Sequence, residues 1–298
     1  NIYVVHLGPP AATVAPPTTI NNPTTYAADL TIADGADLIT ASAGTDNVRL
    51  GDGAGAAIVS GGNQNVLIGK DAGTAITTGD DNVAIGHQAL DANTTGIKNV
   101  SVGSSALTSN VTGNDNTAVG HQALQANTAN DNTAVGWGAL YTNTSAAGNT
   151  AVGRKSLYSN TTGNENIAMG YQAGEENTTG SGNTLLGYQA GNKITSGNHN
   201  TAVGGNALDA LTTGGANTAV GREALTKVTT GSQNTALGLE AGKEITTGTF
   251  NVAVGWSALK SVAAGDHNVA VGSYSQFNSV GEYNTSLGQE SMINATSG

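Results

Sequence analysis

Apolar positions in this chain recur with two periods at once. Within short stretches they alternate, as in "NVAIG" at 82–86 and "NTAVG" at 116–120, and each stretch returns after about 17 residues. Asparagines anchor these returns at positions 47, 65, 82, 99, 116, 132, 149, 166, 183, 200, 217, 234, 251, 268 and 284. The step is 17 residues in eleven of the fourteen intervals, 16 in two and 18 in one. The short step after Asn116 removes a residue from "QANTAND", so the loop half absorbs the change and the strand half keeps its length. Such a period marks a stacked architecture whose units cannot bury a core alone.

Counted from the anchor Asn as position 0, position +1 is β-branched in all fifteen copies and +3 is always aliphatic or Met. Alternation at +1 and +3 predicts a strand, and β-branched residues suit its pleated surface. Position +4 is Gly in every copy, Gly51 through Gly288, which predicts a positive φ or a corner too tight for a Cβ. A second short strand is predicted around the "xxAL" that follows, and "TTG" closes the repeat. The Gly of that closing loop is present in twelve copies. Asn130 stands in its place in one exception, as a residue that also tolerates the left-handed conformation. Two strands and two turns per repeat predict an all-β parallel β-solenoid or β-roll of about fifteen 17-residue coils. Coils stacked at about 4.8 Å make a rod about 70 Å long. The anchor asparagines then lie one above another, as a structural ladder of side-chain amides.

Position +2 points opposite to +1 and +3. It is Ala in ten of fifteen copies, and +7 is nearly always Ala as well. With +1 and +3 turned inward, these small residues predict that both faces are packed, the alanines lying against neighbouring chains. Recent duplication is the competing account, but +5 and +6 have diversified freely in the same copies.

The composition fits such a rod. With 43 glycines, 4% aromatic and 10% charged residues, the chain lacks the large side chains of an ordinary compact core. An apolar fraction of 38% in strict periods argues against disorder. A net charge of −11 with no basic stripe excludes nucleic acid as a partner class. No apolar run approaches the roughly 18–20 residues of a membrane span, so no membrane insertion is expected. Without cysteine, disulfides are excluded. All five prolines fall within residues 1–46. There "GPPAATVAPPTTINNP" reads as polyproline-type extended chain, "NIYVV" as a β-prone stretch suited to strand addition, and "DLTIADGADLIT" as degenerate cap coils. The expected organisation is a docking arm with cap coils over 1–46 and the repeat shaft over 47–298. The chain starts at Asn1 without a methionine or a signal-like segment, the expectation for a processed or partial chain.

Catalytic signatures are incomplete. "GDGAG" at 51–55 lacks the third glycine of a dinucleotide fingerprint, and "GKD" at 69–71 lacks the hydroxyl residue of a phosphate loop. No G-x-S-x-G elbow occurs. His87 and His121 share a column but lie two coils, about 10 Å, apart. The acidic residues Asp46, Asp81, Asp115, Asp131 and Glu165 precede anchors, but Lys98, His199 and Phe250 interrupt that column, so solvated charge is a better account than a calcium ladder. No enzyme activity, cofactor or metal is expected.

The freest column is +5, directly after the invariant Gly. It supplies the candidate recognition residues His87, His121, Trp137, Arg154, Tyr171, Tyr188, Arg222 and Trp256. Aromatic rings with polar rims suit sugars and protein surfaces alike; the competing reading is a corner that tolerates any soluble residue.

Repeats of the form "NTAVGxxAL…TTG" resemble those of phage tail-fibre shafts, and less closely the heads of trimeric autotransporter adhesins. The resemblance covers about Asn47 to Gly298. It implies a homotrimeric fibre at the virion or another extracellular surface, attached to a host glycan or surface protein, with the N-terminal arm docked on a virion or baseplate component. Many such fibres carry a C-terminal chaperone domain, which this sequence does not show. A bacterial trimeric surface adhesin is the alternative within this class. Two rivals come from other classes. An ice-binding solenoid needs flat Thr arrays, whereas adjacent pairs such as Thr94-Thr95 point opposite ways. A polysaccharide depolymerase needs paired carboxylates, and no spacing singles out a pair.

Overall fold

The computed structural model describes residues 43–261, 265–278 and 281–293; nearly all of the predicted docking arm and cap lies outside these. Fifteen three-residue strands, β1 (Val48–Leu50) to β15 (Thr285–Leu287), form one parallel sheet whose spatial order is the sequence order. Register follows the repeat, so that Ala151 pairs with Ala134 on one side and Ala168 on the other. The chain is an all-β parallel β-solenoid of about fourteen turns, and no helix occurs among the described residues.

Each coil contains one strand, so the predicted second strand around "xxAL" is absent. That segment is a run of turns in which +6 and +8 are left-handed, as at Gln88 (φ 55°) and Leu90 (φ 54°). Two positive φ values separated by one residue cannot form a strand. A left-handed leucine costs about 1–2 kcal/mol, but Leu90, Leu107, Leu124 and their equivalents are fully buried, and burying a leucine returns about 1.5–3 kcal/mol. The backbone is also satisfied, since Leu90 N–H donates to the Ala106 carbonyl of the next coil at 3.0 Å.

The second correction concerns direction. Position +2 faces the interior of its own coil: Ala84, Ala118, Ala151, Ala202 and Ala270 are fully buried, as are Ala89, Ala123 and Ala190 at +7. Positions +1 and +3 face outward and are half-buried or exposed. The alanine columns therefore cannot be contacts between chains. They are small because the coil is narrow, with room for one or two large side chains per layer, as where Leu185 and Ile194 or Leu208 and Leu211 share a coil. In some coils that volume is exchanged between positions. Where +8 is Gly73 or Gly191, Ile76 or Ile194 at +11 takes up the space, and a Cβ on Gly191 would come within 2.8 Å of Ile194 and 2.7 Å of Leu185. Volume-conserving swaps are those a packed core tolerates best.

The predicted Asn ladder is present, with one rung altered at the short repeat, where Asn132 Nδ2 donates to Asn127 Oδ1 while only its main-chain N–H reaches Asn116 Oδ1. Asn183 Nδ2 donates to Asn166 Oδ1 at 3.1 Å and to the Gly197 carbonyl at 2.9 Å, while its Oδ1 accepts from Asn200 N–H and Nδ2. A second ladder at +11, Asn127–Asn143–Asn160–Asn177, runs beside it. In the short repeat, Asn116 Nδ2 bonds the Ala129 carbonyl, so Ala129 takes the place of the closing Gly. Asn130 is not left-handed; its side chain instead accepts from Asn114 N–H at 2.8 Å, as polar residues of the following column do elsewhere.

Candidate functional site

Position +5 leaves the sheet at the corner made by the +4 glycine. Its main chain is in axial register, because the N–H of each +6 residue donates to the +5 carbonyl one coil earlier. Examples are Gln189 to Tyr171, Asn206 to Tyr188 and Glu223 to Gly205, each at 2.9 Å. Side chains at +5 are thus stacked along the rod at one rung per coil.

Five of the eight predicted residues form one continuous strip over five successive coils. His121 and Trp137 lie with centroids 6.5 Å apart and planes 4° from parallel. The Arg154 guanidinium sits 4.9 Å from the Trp137 ring centre and 5.6 Å from that of Tyr171, and donates to the Tyr171 hydroxyl at 3.1 Å. Tyr171 and Tyr188 stack at 5.5 Å and 8°. The other three stand apart. Ser104 separates His87 from the strip, Gly205 separates Arg222 from it, and Leu239 lies between Arg222 and Trp256. Trp256 tilts against Tyr274, which meets Phe277 edge-on.

Sequence reasoning missed two groups. Tyr141 and Tyr158, at +9 of consecutive coils, stack at 4.8 Å and 2°, and Tyr158 extends the stack to Trp137 at 6.3 Å. Reading +9 as a column would have found them. Phe250, His267 and Tyr283 form a third stack at the position before the anchor. Residues there have φ near 57°, as do Asp46, Asp81, Lys98 and His199. That column therefore favours residues that tolerate left-handed backbone, which accounts for its many Asp and Gly. No group of three metal-ligating side chains converges among the described residues.

Each stacked ring pair is worth about 0.5–1.5 kcal/mol and each exposed cation–π contact about 0.5–1 kcal/mol, so the strip both stiffens the rod and holds its rings in fixed positions. Beyond it lies a linked charge network. Arg222 bonds Glu223 at 2.6 Å, Lys243 joins Glu223 to Glu240 at 2.6 and 3.0 Å, and Lys260 closes on Glu240 at 2.5 Å. Hydrogen bonds from Lys260 and Lys243 hold the Glu240 carboxyl down at about 2, and those from Lys243 and Arg222 lower Glu223. This surface has the equipment for binding: fixed rings, hydroxyls and guanidinium groups. Among the described residues no helix is long and apolar enough to cross a membrane. The chain matches no family model, no curated protein and no solved structure.

Proposed function

We propose that this rod is the shaft of a homotrimeric attachment fibre acting at an extracellular surface, of the kind found on phage tails. The observation that carries the reading is the outward face of the sheet. Columns +1 and +3 present Thr, Val, Ile, Leu and Met along fifteen strands, and Ile85, Val119, Met169 and Leu237 are between 36% and 50% exposed. Parallel sheets are normally covered on both faces, and only one face of this sheet is covered by its own coil. A strip about 70 Å long and about 10 Å wide, roughly 700 Å², approaches the roughly 800 Å² per partner of a stable interface. Three parallel copies meeting through this face close the strip around a central seam with a closed symmetry.

The ice-binding rival loses the first column of its Thr pairs, though +1 threonines such as Thr150 and Thr201 stay on the outward face. Hydroxyls of Thr161, Thr178, Thr195 and Thr212 donate along the rod to the next coil's carbonyl at 2.9–3.2 Å, so they are committed within the coil stack. The test is native mass measurement of the unmodified protein and of the double variant Met169→Lys, Leu237→Lys. The expected result is a trimer for the former and monomers with unchanged circular dichroism for the latter. A stable monomer of the unmodified protein refutes the reading.

A further inference from the structure

The +5 column carries a side chain in every coil except one. At Gly205 the ladder that runs through Arg154, Tyr171 and Tyr188 stops, and Arg222 stands one rung beyond. Glycine is not needed there by the backbone. Among the glycines whose surroundings are described, Gly205 alone combines a φ outside the left-handed region with open space: a Cβ would meet nothing nearer than the Tyr188 carbonyl oxygen at 4.0 Å. Other coils accept Trp, Tyr, Arg and Leu at the same corner. What Gly205 contributes is therefore the absence of a side chain.

The result is a notch one rung high between two exposed groups. Tyr171 stacks on one face of the Tyr188 ring, and Gly205 leaves the other without a neighbour from its column; Tyr188 is 54% exposed. Across the notch, the Arg222 side chain is 69% exposed. The two flanking rungs are about 9.6 Å apart, the span into which one further ring fits at the ladder's own spacing. Arg222 gives Nε and Nη2 to a single oxygen of Glu223, which leaves its Nη1 edge to a ligand. Its linked network holds three cations and two carboxylates, a local positive surplus on a chain of net charge −11.

We propose that this notch binds an acidic pyranose residue of a surface polysaccharide, its ring lying on Tyr188 and its carboxylate on Arg222. A pyranose presents an apolar C–H face to an aromatic ring while its rim stays polar, the match that amphipathic rings provide. A guanidinium recognises a carboxylate through paired N–H donors. The proposal rests on the attachment reading for its biological sense, but the notch lies within one chain and is tested separately.

The experiment titrates oligomers of glucuronic acid, and neutral glucose oligomers of the same length, into the full-length protein by calorimetry. The expected result is at least tenfold tighter binding of the acidic oligomer. Gly205→Tyr, which extends the ladder through the notch, should weaken that binding at least tenfold with circular dichroism and native mass unchanged. Arg222→Gln should remove the preference for the acidic oligomer, and Tyr188→Ser, which alters no backbone requirement, should weaken both. The proposal is overturned if the unmodified protein binds neither oligomer, or if Gly205→Tyr and Tyr188→Ser bind as well as it does. A trimer that binds neither oligomer refutes the notch and leaves the fibre; a monomer that binds through Tyr188 and Arg222 does the reverse.

Discussion

Gly153 and Gly205 are neighbours in kind, one at +4 and one at +5, yet alanine at the two sites should have opposite effects. Gly153 has φ +134°, and a Cβ there would lie 2.3 Å from the Gly170 carbonyl oxygen and 2.7 Å from its carbon. To reach ordinary contact, the coils must separate by about 1 Å, at the point where Gly170 N–H donates to the Val152 carbonyl at 2.8 Å. Backbone strain of about 1–3 kcal/mol and a weakened hydrogen bond of about 0.5–1.5 kcal/mol give an expected loss of about 2–4 kcal/mol for Gly153→Ala. Gly205→Ala meets no such obstacle. It should be neutral or stabilising by up to about 1 kcal/mol, because alanine restricts the unfolded chain. Urea unfolding followed by circular dichroism gives the magnitudes. Amide exchange gives the location, since solenoid stability is a sum of coil and nearest-neighbour terms and lost protection should centre on the coils containing Gly153 and Gly170. Equal stability of the two variants would show that the glycine column is not held by sterics and φ.

Two smaller predictions follow from the polar interior and the surface charges. Asn183→Ala removes an amide that serves Asn166, Gly197 and Asn200; at about 1–3 kcal/mol per buried group left unpaired, a loss of about 2–5 kcal/mol in the urea midpoint analysis is expected, and a loss under about 1 kcal/mol contradicts the ladder's role. Glu240 is held at about 2 in the folded state against an ordinary 4.5, so its contribution is full above pH 4.5 and disappears as pH falls towards 2. As one member of an ion-pair network at the surface, the half-buried group should contribute about 1 kcal/mol or less; Glu240→Gln should be less stable than the parent at pH 7 and equal to it at pH 2, and a gap that persists at pH 2 would exclude the ion pairs as its source.

The repeat length, the single certain strand of each coil, the Asn ladder and the column that carries the recognition candidates were all legible in the sequence, because each depends on a spacing alone. Stacking at a fixed period places like residues above like, so an Asn column becomes an amide ladder and the +5 column becomes a strip without further information. What the sequence left undecided was which face points inward. A period of two states only that Ala151 opposes Thr150 and Val152; it is the same whichever side is buried. The tertiary structure decides it through cross-section: a coil of this length encloses a space that admits Ala151 and Leu157, or an Ile or Val at +11 such as Ile194 or Val228, but not the whole +1 and +3 rows, so those rows are left on the outer face. The same holds for turns. Leucine at +8 argues for a strand by composition, and only the closed coil, whose corners need left-handed residues and whose interior rewards burial, places Leu157 at φ 49°. Gly205 is the last instance. Its letter is visible among the other 42 glycines, but that it alone, of those whose surroundings are described, answers to neither φ nor contact is a fact of three-dimensional space.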